Sequence, residues 1–206
     1  MTTFFLIRHG QKQAIKEDPS LSEVGLIQVK HTAAFLQKIR IHKVFSSPLK
    51  RCLETAAIIA QSQGLEVLIN KNLRERFNWG DDPSLDFENF LRLWEHSTLH
   101  RDFQPKYGDS SKNAGRRLEN LINNLNQKYP EKFLTLVAHG GVISDLIRNI
   151  FSEKELFEHS IHCPEKLEKN IKEASITILI KKNSKFILKE IGSIKHFPKF
   201  LYRKYR

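Results

Sequence analysis

The chain reads as an α/β protein, a three-layer α/β/α sandwich around a mostly parallel central sheet. Three observations predict this. Short apolar runs alternate with helical patterns from one end of the sequence to the other, the signature of strand–helix–strand units. The helical segments carry apolar stripes at i, i+3, i+4 and i+7. And 206 residues, 40% hydrophobic and 28% charged, suffice for one globular unit with a substantial core.

Strands are expected at 3–7, 43–45, 67–69, 133–138, 175–180 and 186–191, each a short run of apolar residues. Ser22 reads as the N-cap of a helix running to about Ile39. Ser47-Pro48 reads as an N-cap followed by proline at the first helical position, and Leu49, Leu53, Ala56, Ala57 and Ala60 supply the stripe behind it. Two more stripes are Leu118, Leu121, Ile122, Leu125 and Ile143, Leu146, Ile147, Ile150. The interval 78–112 is the least regular; it holds one predicted helix at 85–95 and is expected to border a site. These elements make one domain over 1–194, with 78–112 as its insert and 195–206 as a basic, aromatic C-terminal tail.

No apolar stretch approaches the length that spans a bilayer, and Met1 leads almost directly into the first strand without a secretory pattern. Cys52 and Cys163 match no metal-ligand spacing and are expected as free thiols in a reducing cytoplasm. The net charge of +11 is uneven: the last 26 residues carry +8 and the other 180 only +3. Phe197, Phe200, Tyr202 and Tyr205 among those basic residues suit an anionic membrane or single-stranded nucleic acid. The favoured expectation is that the aromatics pack back onto the domain. His96 and His100 share a helix face at i, i+4, but the pair lacks the His-Glu-x-x-His order and a partner carboxylate, so no metal site is expected.

The chemistry is concentrated where strands end. Arg8-His9-Gly10 follows the first, Ser46-Ser47 the second, and His139-Gly140-Gly141 the fourth. In an open parallel sheet these ends meet at one edge, where ligands bind. Each also feeds a helix whose N-terminal N–H groups favour an anion. Arg51 falls in the first turn after Pro48, able to reach back to that anion. Paired Arg-His and His-Gly-Gly units are therefore expected to form a phosphate site in which an imidazole nitrogen attacks.

An ordered set of motifs extends this picture: Arg8-His9-Gly10; Leu21-Ser22-Glu23-Val24-Gly25 with Gln28; Ser46-Ser47-Pro48-Leu49-Lys50-Arg51 followed by Glu54-Thr55-Ala56; Leu73-Arg74-Glu75; Gly108-Asp109-Ser110; His139-Gly140-Gly141; and Ala174-Ser175-Ile176-Thr177. The set resembles the histidine phosphatase superfamily, the phosphoglycerate mutase-like proteins, over nearly the whole chain. That resemblance implies His9 as nucleophile, forming a phosphohistidine. It implies Arg8 and Arg51 on the non-bridging oxygens, with His139, if protonated, as a third positive donor, and Gly140 beside the phosphate. Glu75 is implied as general acid and base. The expected partner is a small phosphorylated substrate, and neither a metal nor another cofactor is called for.

The family both hydrolyses and transfers phosphoryl groups. Here 64 positions separate Glu75 from His139, short for a mutase insert. Lys12 and Ile15 stand where phosphoglycerate mutases usually carry Thr and Asn. A phosphomonoester phosphatase is the favoured expectation, with mutase-type transfer and a catalytically weak phospho-ligand-binding protein as alternatives. Gln11, Lys12 and Ser47 are further candidate contacts, as are Arg76, Trp79, Arg92, Trp94 and Arg101 for the leaving group.

Overall fold

The computed structural model describes residues 1–202, and its centre is a six-stranded sheet in the order β3-β2-β4-β1-β5-β6. The strands are β1 Thr2–Arg8, β2 Lys43–Ser46, β3 Val67–Ile69, β4 Phe133–Ala138, β5 Ile176–Lys182 and β6 Lys185–Ser193. The first four run parallel; β5 pairs antiparallel with β1, and β6 with β5. The helices are α1 Glu23–Leu36, α2 Lys50–Gln63, α3 Phe87–Leu99, α4 Ser111–Lys128, α5 Gly140–Ile150, α6 Glu153–Glu158, α7 Leu167–Asn170 and α8 Lys199–Tyr202.

Strand β1 is buried on both faces, and its alternation divides the core. Phe4 and Leu6 point into a cluster with Leu118 and Ile122 of α4 and Ile143 and Ile147 of α5. Phe5 and Ile7 point the other way, to Val29 and Leu36 of α1 and Ala56 and Ile59 of α2. The result is the expected three-layer sandwich. No described helix is long and apolar enough to cross a membrane.

Helix α1 begins where its sequence requires: Ser22 Oγ accepts from Gly25 N at 3.1 Å. Helix α2 corrects the expected start. It opens at Lys50, behind Leu49 as N-cap, and not at Pro48. Ser47 cannot cap it, because its hydroxyl lies 2.9 Å from His139 Nε2. The cap comes instead from a distant residue, Asp18, whose carboxylate accepts from Lys50 N at 3.0 Å. Arg51 remains in the first turn. Helix α3 is also shifted, to Phe87–Leu99, because Asp86 accepts from Asn89 N at 2.7 Å and sets its start.

Cys52 is buried, Cys163 exposed, and both are free thiols. At the C-terminal end Phe197 and Leu201 pack into the cluster on the α1 side, while Phe200 is 64% exposed. The expectations for Tyr205 and the last basic residues fall outside the described residues.

The loop after β1 is braced by α1. Gln11 N donates to Gln28 Oε1 at 2.8 Å and Ser22 N to Gln11 O at 2.9 Å. Gly25 lets the two segments touch: a β-carbon there would lie 2.1 Å from Gln11 O. Gly25→Ala should therefore destabilise the fold by about 1–3 kcal/mol, the usual cost of overpacking, read as a lowered urea midpoint at unchanged slope.

Candidate active site

Because β4 lies between β2 and β1, the ends of three parallel strands bring Ser47, His139 and His9 side by side. Backbone bonds fix this edge: His9 N donates to Ala138 O and Ser47 N to Val137 O, both at 3.0 Å. The two imidazoles stand 5.2 Å apart between centroids, edge toward face.

Arg51 joins them. Its Nε donates to His9 Nε2 at 3.2 Å, and its Nη2 lies 3.1 Å from His139 Nδ1. A guanidinium has no acceptor, so both ring nitrogens receive these protons. His9 Nδ1 is 2.7 Å from Gly10 O, which can only accept; the proton of His9 therefore sits on Nδ1 and the Nε2 lone pair faces Arg51. In His139 the same logic places the proton on Nε2, donating to Ser47 Oγ at 2.9 Å. Burial, then Arg51 and Arg8, holds His9 well below its ordinary pKa. Burial, then Arg51, His9 and Arg8, does the same for His139. Both imidazoles are thus neutral near pH 7 in this geometry, so the condition on which His139 would be a third positive donor, its protonation, is not met in it.

Arg8 enters from the other side of His9. Its Nη1 donates to Ile171 O at 2.8 Å and its Nη2 to Glu173 Oε1 at 3.2 Å. Its Nε is buried with no partner among the described residues. Gly140, at the start of α5, makes room for it: a β-carbon there would sit 3.0 Å from Arg8 Nη1.

Glu75 is buried against the same helix start. Its carboxylate accepts from Gly141 N at 3.0 Å, Val142 N at 2.7 Å and Arg76 N at 3.0 Å. A side chain on Gly141 would collide with it, its β-carbon 2.7 Å from Glu75 Oε1. Burial, reinforced by the Glu168 carboxylate and opposed by Arg76, raises the pKa of Glu75 to about 7. Glu75 is therefore shared between its acid and its carboxylate near neutrality. The segment carrying it is clamped by Arg117, which donates to Arg74 O at 3.1 Å and Asn72 O at 2.7 Å and pairs with Asp109 at 2.8 Å.

These groups floor a cavity of about 420 Å³. All the residues expected at the site, Arg8, His9, Arg51, Glu75, His139 and Gly140, line it. So do the candidates Gln11, Lys12, Trp79 and Trp94. Ser47 acts behind His139. The other leaving-group candidates lie elsewhere. Arg76 is buried under the Trp94 ring, 3.7 Å from its centroid, and pairs with Asp145 at 3.4 Å. Arg92 pairs with Glu88 on the exposed face of α3. Arg101 bonds to the carbonyls of Arg148 and Asp145.

Four contributors were not foreseen. Asn78 accepts from Arg51 Nη2 at 2.8 Å and Asp18 lies 3.7 Å from Arg51 Nη1; both come from irregular loops without a pattern of their own. Glu168 and Glu173, from the stretch before β5, close the far wall. His96 and His100 lie 4.4 Å apart between centroids, tilted at 41°, as an exposed pair at the end of α3. Among the described residues no three His, Cys, Asp or Glu are grouped to hold a metal ion.

Known proteins resemble this chain in sequence and in fold. The phosphoglycerate mutase-like protein 4 of Arabidopsis thaliana is 28% identical over 206 residues, covering 93% of this chain and 85% of its own length. An uncharacterized phosphatase of Bacillus subtilis, PhoE, is 29% identical over 157 residues, covering 73% of this chain and 78% of its own. The fold recurs in a phosphoserine phosphatase variant of Entamoeba histolytica in complex with phosphoserine (TM-score 0.73, 21% identity, 96% of this chain and 100% of that one). A model of the histidine phosphatase superfamily, branch 1, matches residues 4–192. The chain belongs to that superfamily.

Proposed function

We propose that this protein is a phosphatase that hydrolyses a phosphomonoester through a phosphohistidine on His9. One observation carries the reading: the buried Arg51 guanidinium is bonded at once to His9 Nε2 and His139 Nδ1. Two neutral imidazoles offer that cation no counter-charge, and Asp18 approaches only to 3.7 Å. A tetrahedral dianion supplies the missing charge, held by Arg51, by the Arg8 guanidinium and by the start of α5 at Gly140.

In this mechanism the His9 Nε2 lone pair attacks phosphorus as the P–O bond to the alcohol breaks. Glu75 gives its proton to the departing oxygen. Water then attacks the phosphohistidine, passing a proton to the Glu75 carboxylate, and the P–N bond breaks. The bound dianion raises the pKa of His139, so that it becomes a charged donor only when substrate is present. Little covalent work falls to the protein beyond this, and positioned charge supplies most of the acceleration. The short span from Glu75 to His139, with Lys12 and Ile15 in the loop after His9, favours water over a second alcohol as acceptor. Residues 1–194 act as one unit on this reading, with 78–112 as a wall of its cavity, and the free thiols suit a reducing compartment such as the cytoplasm.

Phosphate release from 4-nitrophenyl phosphate should persist in EDTA and be lost in His9→Ala. Trapping the wild type with substrate should give an acid-labile, alkali-stable phosphoprotein. Undiminished turnover by His9→Ala overturns the nucleophile.

The pH profile tests Glu75. The acid must be protonated, so kcat/KM for alkyl phosphates should be high below about pH 7 and fall as pH rises through the Glu75 pKa of about 7. His9 titrates well below its ordinary value and limits only the acidic limb. Glu75→Gln should cost alkyl phosphates about 10²–10⁴-fold and 4-nitrophenyl phosphate much less, because nitrophenolate leaves without a proton. The alkaline limb should vanish with it.

A further inference from the structure

The outer half of the cavity differs in chemistry from its floor. One wall is a run of aromatic rings: Trp79 lies 4.8 Å from Phe87, Phe87 6.3 Å from Phe90, and Phe90 6.0 Å from Trp94, between centroids. Phe87 stands at the mouth, 51% exposed, with its inner side against Trp79 and Phe90. The rest of the lining outside the floor carries carboxylates: Glu168 and Glu173 from the stretch before β5, Glu173 paired with Arg8 at 3.2 Å, and Glu17 beside Trp79, its N donating to Trp79 O at 3.2 Å. Glu168 Oε2 accepts from Trp94 Nε1 at 2.9 Å, which ties it to the aromatic wall. Outside the phosphate floor, Lys12 is the one basic side chain among the described residues lining the cavity, and it is exposed.

Both parts of this lining prefer the same sign of charge. Carboxylates repel an anion, and so does the negative face of an aromatic ring. A cation meets attraction from both. A second anionic group on the substrate therefore finds no basic partner beyond the floor except Lys12, while a flat apolar body finds a surface to lie on.

We propose, on the footing of the phosphatase reading above, that the substrate is the phosphomonoester of an aromatic alcohol carrying a positively charged nitrogen, and that a second anionic group is selected against. The nitrogen sits toward Glu168 and the ring against the Phe87–Phe90 wall.

Three esters with one phenol leaving group separate charge from reactivity: tyramine phosphate, 4-ethylphenyl phosphate and 3-(4-phosphonooxyphenyl)propionate. The expected order of kcat/KM is cationic over neutral over anionic, with about a tenfold span. Glu168→Gln should shrink the cationic-to-anionic ratio about threefold. Any change that it causes at Glu75 is read separately, from the pH at which kcat/KM for the neutral ester falls. At the mouth, Phe87→Ala should lower the ratio of 4-ethylphenyl phosphate to ethyl phosphate turnover, and this exposed position keeps the test independent of the Glu168 variant's folding. Equal rates for the three esters, an anionic preference, or a ratio that Glu168→Gln does not move overturns this substrate class; if His9→Ala is inactive on the same esters, the phosphatase reading stands. Failure to release phosphate from any of them and from 4-nitrophenyl phosphate overturns both.

Discussion

The buried charge of Arg51 is the constraint around which the rest of the site is arranged. A guanidinium cannot shed its proton inside a protein, so a nearly inaccessible one must find acceptors or an anion. Here its hydrogen bonds go to Asn78 and two imidazole nitrogens, all neutral acceptors, with the Asp18 carboxylate 3.7 Å from Nη1. Burial first, and this charge second, hold both histidines in their neutral forms, and the guanidinium orients the lone pair of His9. One side chain thus adds to what burial does for the nucleophile's protonation state and creates the demand for a negatively charged ligand. The exposed charges of the surface enter this balance only weakly, since solvent screens them.

Much of the scaffold exists to hold that geometry. Thr55 Oγ1 accepts from Gly10 N at 3.2 Å, and Glu54 accepts from Leu21 N at 2.7 Å. Gln28 and Gly25 hold Gln11 from the other side. Gly108 and Asp109 serve the opposite end: a β-carbon on Gly108 would lie 2.2 Å from Arg76 O, and Asp109 pairs with Arg117. The glycine pair at the start of α5 divides its work, Gly140 admitting Arg8 and Gly141 admitting Glu75. These motif residues are struts that fix loops on either side of a cavity, and a strut leaves a sequence mark because each needs a particular residue at a fixed offset from a catalytic one.

That difference explains what could be read in advance. The six strands and the main helices follow from local apolar period, and the floor of the site from polar residues at strand ends. Ser47 shows the limit. Serine before proline has the local form of a helix cap, but His139, 92 positions away, claims its hydroxyl, and Asp18, 32 positions from Lys50, supplies the cap. Glu168, Glu173, Asn78 and Asp18 come from irregular stretches, where no period marks which side chain turns inward. The walls that distinguish one ester from another are therefore the part that local pattern conveys least.

The acid and the specificity wall are also joined physically. Glu168 raises the pKa of Glu75 by its charge while accepting the indole proton of Trp94, whose ring covers Arg76. Arg76 opposes that rise and is itself held by Asp145, whose pKa burial lifts to about 6. On the substrate class proposed above, a cationic group against Glu168 would offset part of the charge that, with burial, keeps Glu75 protonated, and would draw the acid's pKa downward as it positions the ester. That shift favours giving up the proton in the first step and leaves a carboxylate ready to receive one from water in the second. Electrostatic selection of the alcohol and timing of the proton thus act through one carboxylate pair, and neither can be altered at Glu168 without touching the other.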